Sequence, residues 1–293
     1  MEKAKRKTPR QYLSKHTHAL LALAIVLAST LTSSAQSSGA LDATFGTGGK
    51  VTTDFGGPTG SASVAVQPDG KIIAAGGAVI SPYSNFALAR YDSDGTLDLS
   101  FGNGGKVTTA FVTTAFGQVS AQAYSIALQQ DGKIVVAGVA NIDGGEDFAL
   151  VRYNSNGTID VSFGTGGKVT TDFDLVGQGF SFAFASSVAV QQDGRIVAAG
   201  DAYIDGGRDF ALARYNNNGT LDASFGTGGK VNTNFSGSTF ADFANSVAVQ
   251  PDGKIVAAGG TMKTFVSPLC PRWWVNGCSP NLSVPGISCP DRS

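Results

Sequence analysis

Along Ser125-Ile126-Ala127-Leu128-Gln129 apolar and polar residues alternate with a period of two, the pattern of a half-buried strand. Gln130-Asp131-Gly132 then marks a turn, and Lys133 to Gly138 is a second apolar run, so the two runs predict a hairpin closed at Asp-Gly. Asp143-Gly144-Gly145 turns the chain again, and Phe148-Ala149-Leu150-Val151-Arg152-Tyr153 reads as a further strand, ended by Asn154-Ser155-Asn156-Gly157. A short β-branched strand, Val107-Thr108-Thr109, opens this unit. No segment carries a helical period, so the unit predicts four short strands.

The unit recurs. Leu41-Asp42-Ala43-Thr44-Phe45-Gly46-Thr47-Gly48-Gly49-Lys50-Val51 returns at Leu97, Ile159 and Leu221, at intervals of 56, 62 and 62 residues. Repeated units of this length imply supersecondary modules that bury their faces against one another. Read from Leu41, the copies span residues 41–96, 97–158, 159–220 and 221–264. Strands such as Phe86-Ala87-Leu88-Ala89 and Ile196-Val197-Ala198-Ala199 set bulky against small side chains, which lets stacked sheets interdigitate. The expected fold is all-β: a β-propeller of about four repeats of roughly 60 residues, four-stranded and incomplete. A β-solenoid is the alternative. The copies of LDxxFGxGGKV, the stretch Val247 to Gly259 and the stretch Phe210 to Asp222 resemble the bacterial delta-60 repeat family over about residues 41–264. The resemblance implies a propeller and export, and brings no set of catalytic residues.

Length varies at one place in each unit. Between the GGKV valine and the hairpin strand (Val51 to Val64, Val107 to Ile126, Val169 to Val188, Val231 to Val247) lie intervals of 13, 19, 19 and 16 residues. Variable loops on one face of a repeat protein are where binding resides. These loops carry Phe111, Phe116 and Tyr124, then Phe173, Phe180, Phe182 and Phe184, then Phe235, Phe240 and Phe243. Two readings compete for them: a platform for carbohydrate or a protein ligand, with Phe116, Tyr124, Phe180, Phe182, Phe240 and Phe243 as candidates, or apolar covers over the blade ends.

The ends of the chain alter the charge account. Residues 1–35 combine a basic head (Lys3, Lys5, Arg6, Lys7, Arg10, Lys15), an apolar run from Ala19 to Leu31 and small residues at Ser33-Ser34-Ala35. This is the pattern of a cleaved signal peptide, too short to span a bilayer, with an uncleaved anchor as the alternative. The remaining chain holds 15 basic and 21 acidic residues, a net charge of −6, and shows no basic stripe for nucleic acid. It is expected to be secreted, periplasmic or on the cell surface, with no membrane span after cleavage. His16 and His18 leave with the signal, which excludes a His-dependent catalytic unit or metal site in the mature chain.

Three motifs invite chemistry. Gly46-Thr47-Gly48-Gly49-Lys50 is too short for a phosphate loop and is followed by Val51, so it reads as a glycine-dependent turn. Asp92-Ser93-Asp94-Gly95-Thr96-Leu97-Asp98 offers candidate calcium ligands in Asp92, Asp94 and Asp98. A strand-joining turn explains the same residues, and the later copies replace two carboxylates by Asn. Arg90, Arg152 and Arg214 recur with Asp42, Asp98, Asp160 and Asp222, and are expected to pair within or between blades. The unrepeated acids Glu146, Asp174, Asp201 and Asp242 read as solvated surface charges. No cofactor and no catalytic residue follow from the repeats.

The pattern stops after Met262. Residues 265–293 hold Cys270, Cys278 and Cys289, Trp273 and Trp274, and five of the ten prolines. They read either as a frameshifted or truncated end or as a genuine cysteine-bearing tail. A four-unit array whose last unit is short exposes blade faces and edges, so self-association is expected. The functional expectation is an exported binding or scaffold module without enzymatic activity; the alternative is a propeller hydrolase or lyase acting on extracellular glycan through unrepeated carboxylates.

Overall fold

The computed structural model describes residues 39–113, 117–173, 182–204, 206–235 and 241–262. Residues 1–35, which the sequence leads one to expect as a signal peptide, the tail, Phe116, Asp174, Phe180 and Phe240 lie outside the described residues. The chain divides into a unit of residues 1–50 and a unit of residues 51–293. In the first, Asp42 Oδ1 accepts from both the backbone and the hydroxyl of Thr44, and Gly49 N donates to Phe45 O, folding the LDxxFGxGG stretch into consecutive turns.

Among the described residues, the second unit holds three four-stranded antiparallel meanders and half of a fourth. Blade 1 is β1 (Thr59–Val66), β2 (Ile72–Ile80), β3 (Tyr83–Tyr91) and β4 (Lys106–Thr109). A small hairpin follows, β5 (Phe111–Thr113) with β6 (Gly117–Val119). Blade 2 is β7 (Ala121–Leu128), β8 (Ile134–Ile142), β9 (Gly145–Tyr153) and β10 (Lys168–Thr171); blade 3 is β11 (Ala183–Val190), β12 (Ile196–Ile204), β13 (Gly207–Tyr215) and β14 (Lys230–Thr233). Blade 4 contributes β15 (Ala241–Val249) and β16 (Ile255–Met262).

The sheets run out of phase with the repeat as cut at Leu41. Lys106-Val107-Thr108-Thr109 does not open a unit; it pairs with β3 and closes the sheet before it, Phe86 facing Thr109 and Leu88 facing Val107. Between β3 and β4 the chain makes its glycine turn, where Gly102, Gly104 and Gly105 take φ of +56°, +58° and +87°, left-handed values that admit glycine best. The GTGGK stretch is thus a backbone turn inside a blade.

Each first strand carries a β-bulge. In β7 the register slips between Ala123 and Ser125, leaving Tyr124 as the extra residue, and β1, β11 and β15 slip at the same place. The following glycine allows the crossing to be close: a Cβ on Gly138 would stand 1.9 Å from Gln122 O.

Packing between blades explains the alternation of large and small residues. Ile73, Phe86 and Leu88 of blade 1 pack with Ile126, Ile134 and Val151 of blade 2. Val135, Ala137, Phe148 and Leu150 of blade 2 pack with Val188, Ile196 and Ala211 of blade 3, and Val197 and Phe210 pack with Val247 of blade 4. Each Val, Leu or Ile buried this way contributes about 1.5–3 kcal/mol. Both faces of each inner blade are therefore apolar. Successive meanders stacked face to face form an incomplete β-propeller rather than a solenoid, whose successive coils would pair in parallel. Among the described residues, parallel pairing between named strands is confined to Arg208 with Ala241.

Polar contacts lock the same seams. Arg90 Nε donates to Asp98 Oδ2 at 2.7 Å while Nη1 crosses to Ser155 O of the next blade; Arg152 does the same with Asp160 (2.8 Å) and Asn217 O. Each guanidinium lies over the Phe of its own FG turn, Arg90 on Phe101 at 4.5 Å and Arg152 on Phe163 at 4.6 Å. Tyr153 OH donates to Thr109 Oγ1 across one seam, and Tyr215 OH and Thr171 Oγ1 share a hydrogen bond across the next. Thr53 Oγ1 meets Tyr91 OH at 2.7 Å in the same way, and Lys106 Nζ donates to Asp54 O as Lys168 does to Ala110 O. Residues 51–55, although not paired as a strand, thus take against blade 1 the place that β4 and β10 take against the blades that follow them.

Candidate functional site

Because β4 runs antiparallel to β3, its last residue lies beside Phe86, near the turn between β2 and β3. The variable connections to the next blade start at that end. One end of the array thus gathers two kinds of loop, while the other holds the repeated PDG-type and FGxGG turns. Repetition then sorts the residues there. A side chain present in every copy serves the blade; one found in a single copy does not.

The loop aromatics fall into two classes. Phe111 and Phe173 are buried, each against the β3-type Phe of its own blade: Phe86 to Phe111 at 5.3 Å and Phe148 to Phe173 at 4.7 Å. Phe235 pairs with Phe210 at 4.9 Å. Lys168 and Lys230 of the following blades sit over Phe111 and Phe173. Phe111 and Phe173 thus cover blade ends, whereas Phe235 makes the same ring contact but stays exposed.

The second class meets at the seam between blades 2 and 3. Phe182 and Phe184 contact edge to face at 4.6 Å, and Tyr124 reaches Phe184 at 6.5 Å. Arg208 lies 4.9 Å from the Phe182 ring and 5.8 Å from that of Phe184, and its Nε and Nη2 both bind Asp201 Oδ2, at 2.7 and 2.5 Å. Asp201 is buried, while Phe182 and the Arg208 side chain stay more than a third exposed. Glu146 stands in bridge pairing with Phe182.

The set is not repeated. The register puts Ala62, Ser186 and Asn245 where Tyr124 occupies its bulge. It puts Gly77, Val139 and Gly260 where Asp201 stands, and Ser84 and Glu146 where Arg208 stands. Phe184 alone has an aromatic counterpart, Phe243 of blade 4. The seam between blades 1 and 2 is neutral at the matching place: Ser84 Oγ donates to Gln122 Oε1 at 3.3 Å, and Gln118 Nε2 to Asn85 Oδ1 at 3.1 Å. A bulge beside this cluster re-aims the one aromatic side chain that occupies it.

One cation serves several acidic groups here. Burial pushes the Asp201 carboxyl up, and Arg208 opposes it. Burial also raises Glu146, again against the charge of Arg208, and it raises the Tyr124 phenol, to which Glu146 adds. The cluster presents aromatic edges and guanidinium N–H groups to solvent, with a carboxyl of raised proton affinity beside them. That composition suits stacking against a flat apolar face combined with donation to oxygen acceptors.

The expectations redistribute accordingly. Of the six aromatic candidates, Tyr124 and Phe182 come together through Phe184, and Phe243 lies elsewhere, on β15 opposite Gly260. Asp201 and Asp242 are not solvated: they are 3% and 0% exposed, because Arg208 neutralises the first and the second accepts from Phe235 N at 2.7 Å. Glu146 is half-buried. Sequence reading missed Arg208, whose signal was its mismatch with Ser84 and Glu146 in the other copies.

The calcium candidates are engaged otherwise. Asp98 accepts from Arg90, Lys71 and Ser100, Asp92 pairs with Lys71, and Asp94 accepts from the backbone and hydroxyl of Thr96. Among the described residues no group of three or more His, Cys, Asp or Glu stands close enough to hold a metal ion. A cleft of about 520 Å³ runs along the outer strand β10, from Phe111, Ile142 and Asp143 past Lys168 to Gly164 and Gly219 of the turns at the other end. Its lysine has equivalents in Lys106 and Lys230 that make the same contacts, which marks it as scaffold. No helix among the described residues is long and apolar enough to cross a membrane.

Comparison with known proteins agrees with the fold. No curated protein matches the chain. Residues 67–101, 129–163 and 191–225 match the model of a family described as a domain of unknown function (DUF5122) beta-propeller. Each match runs from the Gln of the hairpin turn through the second and third strands to the FG turn, so the chain is similar to that family in its repeated scaffold, and the matches leave out Tyr124, Phe182 and Phe184.

Proposed function

We propose that the chain is an exported, non-enzymatic β-propeller module of the delta-60 type, which binds a carbohydrate or protein ligand at the seam between blades 2 and 3, at or outside the cell surface. One observation carries this reading: Tyr124, Phe182, Phe184, Asp201 and Arg208 gather at one seam on the variable end, while the equivalent seam between blades 1 and 2 is neutral. Export rests on the basic head and short apolar run of residues 1–35. Carbohydrate suits exposed Phe182 and the adjoining guanidinium of Arg208.

Glu146 supports a second reading, a glycan hydrolase or lyase. Burial raises the proton affinity of its carboxyl against the opposing charge of Arg208, the direction a general acid requires. A panel of polysaccharides and peptides separates the two. Binding without product, lost in Arg208→Ala, is the result expected; product release that disappears in Glu146→Gln would establish the second reading instead.

A further inference from the structure

The seams inside the molecule form a series whose two end members are open. On the face turned toward the preceding blade, Ile126, Val188 and Val247 are 8%, 6% and 8% exposed, whereas Val64 at the same position of blade 1 is 64% exposed and Val66 beside it 65%. On the opposite face, Ile73, Val135 and Val197 are fully buried, and their equivalent Val256 in blade 4 is 48% exposed, with Ala258 exposed beside it. The polar contacts stop in the same way. Val188 N donates to Ser125 Oγ and Val247 N to Ser187 Oγ, each at 3.1 Å; the next acceptor, Ser246, and the matching donor residue, Val64, are both exposed.

We propose that these two faces bind each other between copies of the chain, head to tail. The occupant of the blade 1 face is the β15–β16 hairpin of a second copy, in the register of the internal seams, with Ser246 Oγ accepting from Val64 N of its neighbour. Three arguments commit to a second copy. The two faces bear the residues that already bind each other at each internal seam. They do not meet within one chain, since Val64, Val66 and Val256 stay exposed. Residues 51–55 lie against blade 1 where the outer strand of a preceding blade would lie, and β15 and β16 of a second copy would supply the inner strands of that blade. Such a contact is heterologous, so it extends into chains or closes into a ring. The proposal is independent of the ligand seam.

Sedimentation of the full chain over a concentration series tests it, with Val64→Glu blocking one face and Val256→Glu the other. Wild type is expected to gain mass with concentration beyond a dimer, and each variant alone to stay monomeric. An equimolar mixture of the variants is expected to form dimers, because each retains the face that the other has lost. Circular dichroism checks that the variants fold, and Val112→Glu, a change at an exposed position away from both faces, is expected to assemble like wild type. Wild type that stays monomeric would overturn the proposal, as would a single variant that still dimerises, or a mixture that does not.

Discussion

At the scale of single residues, the repeat supplies its own controls. Arg152 is buried, binds Asp160, and reaches Asn217 of the next blade through two oxygens. Arg214 holds Asp222 with the same geometry, but its side chain is 15% exposed against 3% for Arg152. Arg152→Ala leaves a buried carboxylate uncompensated and is expected to cost about 3–5 kcal/mol. Arg214→Ala is expected to cost less, because water reaches its pair and screens it. Urea unfolding of the two variants checks the order. The aspartates also set the acid limb. Ser100 holds Asp98 well below the usual range, Ser224 lowers Asp222, and for Asp160 burial is outweighed by Ser162 and Arg152. Their stabilisation is complete above the unfolded value of about 3.9 and disappears as pH falls through the lower folded values. Asp201 and Glu146 are raised and act oppositely, costing stability at neutral pH and giving it back on protonation. Stability is therefore expected to hold down to about pH 4 and to fall below it. Asp98→Asn should flatten that limb.

At the scale of the element, hairpin and third strand were legible because both obey a period of two between glycine turns. The alternation at Ser125 to Gln129 is clean because it begins just past the bulge; Tyr124, the extra residue, breaks the period and hides the start of β7. The phase of the sheets was not legible. A repeat has no marked beginning, and only hydrogen bonding shows that Val107 belongs to the blade before it. The bulge makes a sharp prediction. Gly138 has an ordinary φ, so strain is not the reason for glycine; the reason is Gln122 O, which a Cβ would meet at 1.9 Å. Gly138→Ala is expected to cost roughly 1–3 kcal/mol or more, as overpacking does. The denaturation midpoint should fall accordingly, and an unchanged midpoint would mean that the strands part easily.

At the scale of the molecule, fold and site differ in how they are written. The scaffold is written several times, so the sequence betrays it, down to the Arg–Asp pairs. The candidate site is written once as a set and spread over five strands: Tyr124 on β7, Glu146 on β9, Phe184 and Asp201 on β11 and β12, and Arg208 on β13. The eye drawn to aromatic loops finds Phe182 but also Phe111 and Phe173, which only close the blade ends. What separates them is burial, and burial depends on the neighbouring blade. The same logic explains the open ends: a blade face is a binding surface that an inner blade always satisfies and an end blade does not.

The unrepeated cluster is expected to be dispensable to the fold and necessary for a ligand. That expectation is tested most directly by writing one copy into another. Phe182→Ser and Phe184→Gln install the residues that blade 2 carries at those positions, Ser120 and Gln122, and Tyr124→Ser installs the bulge residue of blade 3, Ser186. The measurement is calorimetric titration of this triple variant with a ligand found on the panel, alongside its melting temperature. Binding is predicted to be lost while the melting temperature stays close to that of wild type. Binding retained at full affinity would contradict the account and place the site elsewhere on the molecule.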